Sequence, residues 1–267
     1  MDVKKVLYIS QEIDPYLPAA PMATFSRRIA QGMQEKGAEV RTFMPKYGAI
    51  NERRNQLHEV IRLSGMNIII SDTDHPLIIK VATLQPTRLQ VYFIDNDDYF
   101  YRHSPGKFEL TDWADINDER AVFFVRGAIE TVKKLRWEAD LVHCTGWMTA
   151  LTPLFIKYVY NDDPSFRNCK IVWSLFADSL PEPPAHKLYD ILIEEGIPKE
   201  VVDSFSTDGA VDLVKLNKLA IDFADAVIES SEGVETEIIE YAKSSGKPFL
   251  PFPGDDIDAY NNFYKSL

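Results

Sequence analysis

The chain of 267 residues is 45% hydrophobic, enough for one large α/β domain or two small ones, and its 29 basic and 41 acidic side chains give a formal charge of −12. That charge repels a phosphate backbone and excludes nucleic acid as a partner. No apolar run approaches the roughly 18 residues of a membrane span, and Met1-Asp2-Val3-Lys4-Lys5 leads into a strand without a signal-peptide core, so membrane is excluded and a cytoplasmic location is expected.

Val6 to Ile9 reads as a buried strand, Ser10 to Pro21 as a loop, and the next segment as an amphipathic helix with Met22, Phe25, Ile29 and Met33 on one side. Gly37 ends that helix, and Ala38 to Met44 predicts a second strand that stops at Pro45. After a polar segment (Asn51 to Glu59), strand-like runs follow at Ile61 to Leu63, Asn67 to Ile70, Leu77 to Leu84 and Leu89 to Ile94. No helical pattern separates them, which predicts antiparallel hairpins at one sheet edge. Asp95-Asn96-Asp97-Asp98 caps a helical turn at Tyr99 to Arg102. As a metal site this acidic run lacks EF-hand spacing and its Gly and distal Glu.

His103 to Ala114 reads as a surface loop, and Asp115 to Arg136 as a helix with Phe124, Ala128, Val132 and Leu135 on one face. The strand Asp140 to His143 leads through Cys144-Thr145-Gly146 to a helix carrying Trp147, Leu151, Leu154 and Tyr158, with a kink expected at Pro153. Lys170 to Leu175 is the next strand. A loop with Pro181, Pro183 and Pro184 follows, then helical stretches at His186 to Glu195, Lys199 to Phe205 and Val211 to Phe223. After the strand Ala226 to Ile228, Ser230 or Ser231 is expected to cap a helix through Tyr241, with Glu232, Glu235 and Glu237 near its start. A short strand, Phe249-Leu250, and a helix from Ile257 to Tyr264 close the chain. Cys144 and Cys169 lack CxxC spacing and read as buried free thiols, so no disulfide, metal or cofactor is expected. The fold class is α/β: a single Rossmann-like, doubly wound, mainly parallel sheet with helices on both faces and antiparallel edge hairpins. In such a sheet the loop leaving the first strand borders the crevice where ligands bind.

Four stretches, in order, carry a resemblance. They are Val6 to Pro15 with Val40 to Tyr47; Val91 to Asn96 with Tyr99 to Arg102, Asp118-Glu119-Arg120 and Phe123-Phe124; Asp140 to His143 with Trp147 and Thr149-Ala150-Leu151; and Ala224 to Val227 with Ser230 and Glu237-Ile238. Together they resemble the N-terminal, acceptor-side domain of bacterial glycogen synthases and plant starch synthases, glycosyltransferase family 5. The resemblance implies the GT-B architecture, two Rossmann-like domains facing a cleft, and glucosyl transfer from ADP-glucose or UDP-glucose to an α-1,4-glucan. It assigns residues 1–267 to the acceptor-side domain and implies that the C-terminal donor-binding domain is absent.

At the chemistry this sequence departs from that pattern. The family's Lys-Thr-Gly-Gly-Leu phosphate loop falls on Pro18, Ala19, Ala20, Pro21 and Met22, and its following Asp on Thr24. Pro18 removes a cation, Ala20 narrows a backbone approach that glycine permits, and Pro21 deletes an N–H at the helix mouth. Of His-x-His-Asp-Trp, His143, Thr145, Gly146 and Trp147 occupy the named positions; Thr-x-His-Asn falls on Ser174, Leu175, Phe176 and Ala177. Glu12 and His143 remain as weak catalytic candidates, and Glu12, Tyr16, His143, Thr145 and Trp147 as binding candidates. Each has a structural alternative: a loop-closing hydrogen bond for Glu12, a hydrogen-bonded core histidine for His143, packing for Trp147. Tyr8, Phe100, Tyr101 and Trp113 could offer stacking surfaces for a glucan.

The expectation is a glycogen/starch synthase-like protein without independent glucosyltransferase activity, serving as a binding or regulatory module in α-glucan metabolism. Its expected partners are an α-glucan or sugar nucleotide. The alternatives are an active transferase working with a separate donor-domain chain, and a protein–protein scaffold whose old cleft is filled.

Overall fold

The computed structural model describes residues 3–101, 115–178, 187–206 and 211–267. The expected loop at 103–114 with Trp113, the prolines 181, 183 and 184, and His186 lie outside the described residues. Among the described residues ten strands form the sheet: β1 (Lys5–Ser10), β2 (Glu39–Pro45), β3 (His58–Glu59), β4 (Met66–Ile70), β5 (Thr73–Leu84), β6 (Leu89–Asp95), β7 (Leu141–Thr145), β8 (Lys170–Leu175), β9 (Ala226–Glu229) and β10 (Phe249–Leu250). Their order is β10-β9-β8-β7-β1-β2-β6-β5-β3, with β4 also paired to β5. From β10 to β6 every pairing is parallel. β5 runs antiparallel to β6, β4 and β3, which are the expected edge hairpins.

The chain winds outward from β1 in two directions, toward β2 through α1 (Pro21–Glu35) and later from β7 toward β8 through α4 (Thr152–Tyr158). Right-handed crossovers put helices that wind in opposite directions on opposite faces, and the reversal between β1 and β7 is the topological switch point. With α4 pack α3 (Asn117–Lys134) and α7 (Leu213–Phe223), and α8 (Thr236–Ser244) packs on α7. With α1 packs α9 (Ile257–Ser266), whose Ile257 sits over Gly32; a Cβ there would lie 2.8 Å from Ile257 Cγ2, so glycine permits the close approach of the two helices. Among the described residues three short helices, α2 (Asp97–Phe100), α5 (Leu188–Glu194) and α6 (Lys199–Asp203), and a 3-10 turn at Trp147–Thr149, where the sequence predicts a helix to begin, complete the elements.

Several local expectations are corrected. Ile61 to Leu63 is a turn: the N–H groups of Leu63 and Ser64 both donate to the Val60 carbonyl, leaving Ile61 82% exposed, and the strand lies instead at His58–Glu59. Pro153 does not kink a helix, because it stands in the first turn of α4, where its missing N–H has no partner to lose. Neither Ser230 nor Ser231 caps α8. Ser230 Oγ meets Ser174 Oγ at 2.9 Å, Ser231 Oγ accepts from the Ala177 N–H, and Glu235 stands at the cap without a side-chain bond. The turn at 97–100 is capped by Asn96, while Asp95 pairs with Lys80 at 2.7 Å. Tyr8 and Phe100 are buried in the core and present no stacking surface, whereas Tyr101 is half exposed.

Candidate functional site

At the switch point the loops leaving β1 and β7 meet, and there the crevice is closed. The Gln11 N–H donates to the Thr145 carbonyl (2.9 Å), the Tyr47 hydroxyl to the Gln11 carbonyl (2.9 Å), and Gln11 Oε1 accepts from the Met148 N–H (3.4 Å). Gly146 adopts φ +91°, ψ 152°, a region essentially reserved for glycine. A Cβ there would stand 2.5 Å from Gln11 Cβ and 3.0 Å from Met22 Sδ. The side chains of Gln11 and Met22 therefore occupy the space an aspartate would need. Below them Trp147, Trp173 and Asp178 border a void of only about 10 Å³.

His143 lies beneath this plug with no exposed surface. Its Nδ1 is hydrogen-bonded to the Tyr264 hydroxyl of α9 and its Nε2 to Ser174 Oγ, which continues to Ser230. Tyr264 also reaches the Tyr8 hydroxyl at 3.4 Å. Burial holds the imidazole down to about 3, so at neutral pH it is an uncharged member of a core network. Both nitrogens are engaged, and neither faces a reacting group. Tyr16, Thr145 and Trp147 are also placed inside the core, Tyr16 edge-on to Phe93 at 4.8 Å.

Glu12 is the inherited acid nearest the crevice. Burial, with the charge of Asp178 adding to it, pushes its carboxyl up to about 7. Among the described residues no hydrogen bond reaches that carboxyl, so the loop-closing bond expected for it is not made. Asp178 accepts from the Trp147 N–H at 3.3 Å. No group of three or more His, Cys, Asp or Glu side chains among the described residues is placed to hold a metal.

Beside the plug the rim is open. A cleft of about 560 Å³ lies between the start of α1, the ends of β8 and β9, and the segment before α9. Pro21, Thr24 and Phe176, expected from the sequence to depart from the family's motifs, line it, together with Phe252 and Asp255 from outside those motifs. Pro18, Ala19, Ala20 and Ala177 lie nearby on the exposed or half-exposed rim, and α1 begins at Pro21 without a side-chain cap. Arg28 is paired with Asp255 and reaches the Gly254 carbonyl, so the cleft's cation is already engaged.

This arrangement can be set beside known proteins. A family model described as the starch synthase catalytic domain matches residues 5–247. The chain belongs to that family. It is 33% identical over 244 residues to the glycogen synthase of Pelodictyon phaeoclathratiforme, covering 88% of this chain and 47% of the relative. With the glycogen synthase of Chlorobium chlorochromatii it shares 39% over 173 residues, covering 64% and 35% of the two chains. The chain spans about half the length, or less, of the curated relatives it matches. The fold is that of the catalytic domain of starch synthase IV from Arabidopsis thaliana, a structure bound to ADP and acarbose. That likeness has a TM-score of 0.69 at 16% identity and covers 94% of this chain and 51% of the other. Helix α9 and Phe252 lie beyond the matched residues.

Sequence reasoning missed four residues that shape this region: Gln11, Asp178, Phe252 and Tyr264. Phe252 carried a signal, an aromatic ring between Pro251 and Pro253. Tyr264 carried none, because only the docking of α9 brings it to His143.

Proposed function

We propose that this domain is a glycogen/starch synthase-like acceptor-side domain without independent glucosyltransferase activity, a pseudoenzyme that serves as a binding or regulatory module in α-glucan metabolism. One observation carries the reading: Gln11 and Met22 fill the space at Gly146, over a His143 already spent on Tyr264 and Ser174. A transfer site needs a cation or N–H donors for a leaving diphosphate and a polar group beside the sugar. At the corresponding positions stand Pro18, Pro21, Gly146 and Phe176. The family assignment supports α-glucan or sugar nucleotide as the ligand class, as does the ADP and acarbose held by the Arabidopsis neighbour.

The test is incorporation of radiolabelled glucose into glycogen by the purified chain, with ADP-glucose or UDP-glucose as donor. No incorporation above a heat-killed control is expected; clear incorporation sinks the proposal. A second reading, transfer in complex with a separate donor-domain chain, is favoured by the match to about half of each relative. It predicts a stable co-purifying chain whose addition restores incorporation.

A further inference from the structure

A cavity of about 530 Å³ lies at the edge of the sheet opposite the crevice. The parallel strands put their amino ends there, and it opens between the starts of β1 and β2, the end of α1 and the last turn of α9. None of the residues lining it falls in the four stretches that carry the family resemblance.

Four lysines converge on it, Lys4, Lys5, Lys36 and Lys265, in a chain whose formal charge is −12. Among the described residues the lining holds one carboxylate, Glu39, and it is engaged elsewhere. Its Oε1 accepts from Trp137 Nε1 at 2.7 Å and lies 3.6 Å from the Arg41 guanidinium. Asp140 fixes the start of β1, its Oδ2 accepting from the Lys4 and Lys5 N–H groups at 2.8 Å each. Asp258, largely exposed, pairs with Lys36. Lys5 has no such neighbour. It is half-buried, and its ammonium makes no hydrogen bond or ion pair among the described residues.

Helix ends do not explain the cluster. Cations answer the negative end of a helix, which suits Lys36 and Lys265 but not Lys4 and Lys5, placed where a strand begins. The last carbonyls of α1 are already satisfied by backbone: those of Gly32, Met33 and Gln34 accept from the N–H groups of Lys36, Ala38 and Gly37. A half-buried ammonium without a counter-charge carries a desolvation cost that an anion in the cavity would offset.

The cavity also narrows the kind of anion. Val3, Met33 and Ala38 give it a buried apolar floor. At Gly37 nothing stands within 4 Å of where a Cβ would be, so the backbone leaves that side clear. The volume lies within the roughly 300–1,000 Å³ of small-ligand sites. Lysines hold phosphate as point charges, without the fork by which arginine reads a planar carboxylate. A compact dianion with a small uncharged body matches this combination.

We propose that this cavity binds a small phosphomonoester, its phosphate neutralised by the lysine cluster, Lys5 foremost, and its uncharged body set against Val3, Met33 and Ala38. The site is independent of the α-glucan reading above, and failure of either leaves the other standing.

Calorimetric titration of the full chain with glycerol phosphate at low ionic strength tests this, with inorganic phosphate and glycerol titrated in parallel. Glycerol phosphate is expected to bind, inorganic phosphate to bind more weakly, and glycerol not to bind. Lys5→Gln is expected to weaken binding about tenfold, the loss of one charge-assisted contact. Asp258→Asn removes the carboxylate that competes for Lys36 and is expected to tighten binding about threefold; a gain cannot come from misfolding. Lys218→Gln, which removes a lysine outside the cavity, is expected to change nothing. No binding of glycerol phosphate to wild type overturns the site, as does binding that is the same in wild type, Lys5→Gln and Asp258→Asn. Equal weakening by Lys218→Gln and Lys5→Gln reduces the effect to diffuse attraction and overturns it too. Inorganic phosphate bound as tightly as glycerol phosphate overturns the assignment to a phosphomonoester.

Discussion

The crevice between β1 and β7 and the cleft beside Phe252 occupy the same rim of one sheet, and both are bordered by positions expected from the sequence to depart from the family's pattern. Their outcomes are opposite. At the crevice Gln11 and Met22 fill the space beside Gly146, and the region is core. At the cleft space remains between Phe176 and the segment before α9, which carries Phe252. One rim is therefore packed where neighbouring side chains close on it and open where a wall stands off.

The sharpest way to break this comparison is to force the crevice open. Gly146→Asp installs the residue the resemblance implies but puts a side chain on a glycine-only backbone and into Gln11. Strain and overpacking together are expected to cost on the order of 3–5 kcal/mol in urea denaturation. A loss below about 1 kcal/mol would mean that Gln11 swings aside freely and the crevice is not core. Tyr264→Phe comes next. It removes the hydroxyl that His143 Nδ1 and Tyr8 share and leaves a buried nitrogen unpartnered, an expected loss of about 1–3 kcal/mol. No change in the denaturation midpoint would detach α9 from the closed half.

His143 also gives that half a pH signature. Its folded value of about 3 lies below the ordinary histidine value of 6.5, so between these limits the unfolded chain binds more protons. Stability is then expected to fall as pH drops below 6.5, by roughly 1 kcal/mol per pH unit, and to be indifferent to this group above it. Glu12, raised from 4.5 to about 7, acts in the opposite sense: across that window the folded chain binds the extra proton, and stability is lost as pH rises to 7. Because the two slopes oppose each other in wild type, the readout in denaturation is the difference: the stability of wild type minus that of His143→Gln is expected to grow as pH rises from 4.5 to 6.5 and to level off above it. Equal slopes would place the titrating group elsewhere.

How far the sequence made this legible varies with the kind of interaction. The strands from Val6 to Ile228 could be read because burial on both faces writes itself as apolar runs, and the edge hairpins because no helical pattern separates them. Ile61 to Leu63 misled because apolar content does not report the hydrogen bonds to Val60 that curl the segment. Pro153 misled because a missing N–H breaks a helix only in its interior, and the sequence did not mark where α4 begins. At the site, the departures expected at Pro18, Pro21, Gly146 and Phe176 rest on the resemblance alone. What packs around them could not be read. Tyr264 and His143 are 121 residues apart, and their contact is a property of how α9 docks rather than of any local pattern.

The smallest effect belongs to the open half. Asp255 is 82% exposed on its side chain, and its pair with Arg28 joins the segment before α9 to α1 at the cleft's edge. In solvent such a pair contributes little, so Asp255→Ala is expected to lower global stability by less than about 1 kcal/mol. Its effect should instead be local. Amide exchange across 252–256 should quicken, while Tyr260 and Tyr264, with no exposed surface, keep the protection of the core. Parallel loss of protection in both stretches would show that the cleft wall and the docked helix open as one unit, and would erase the distinction between a rigid plugged half and a separately mobile open one.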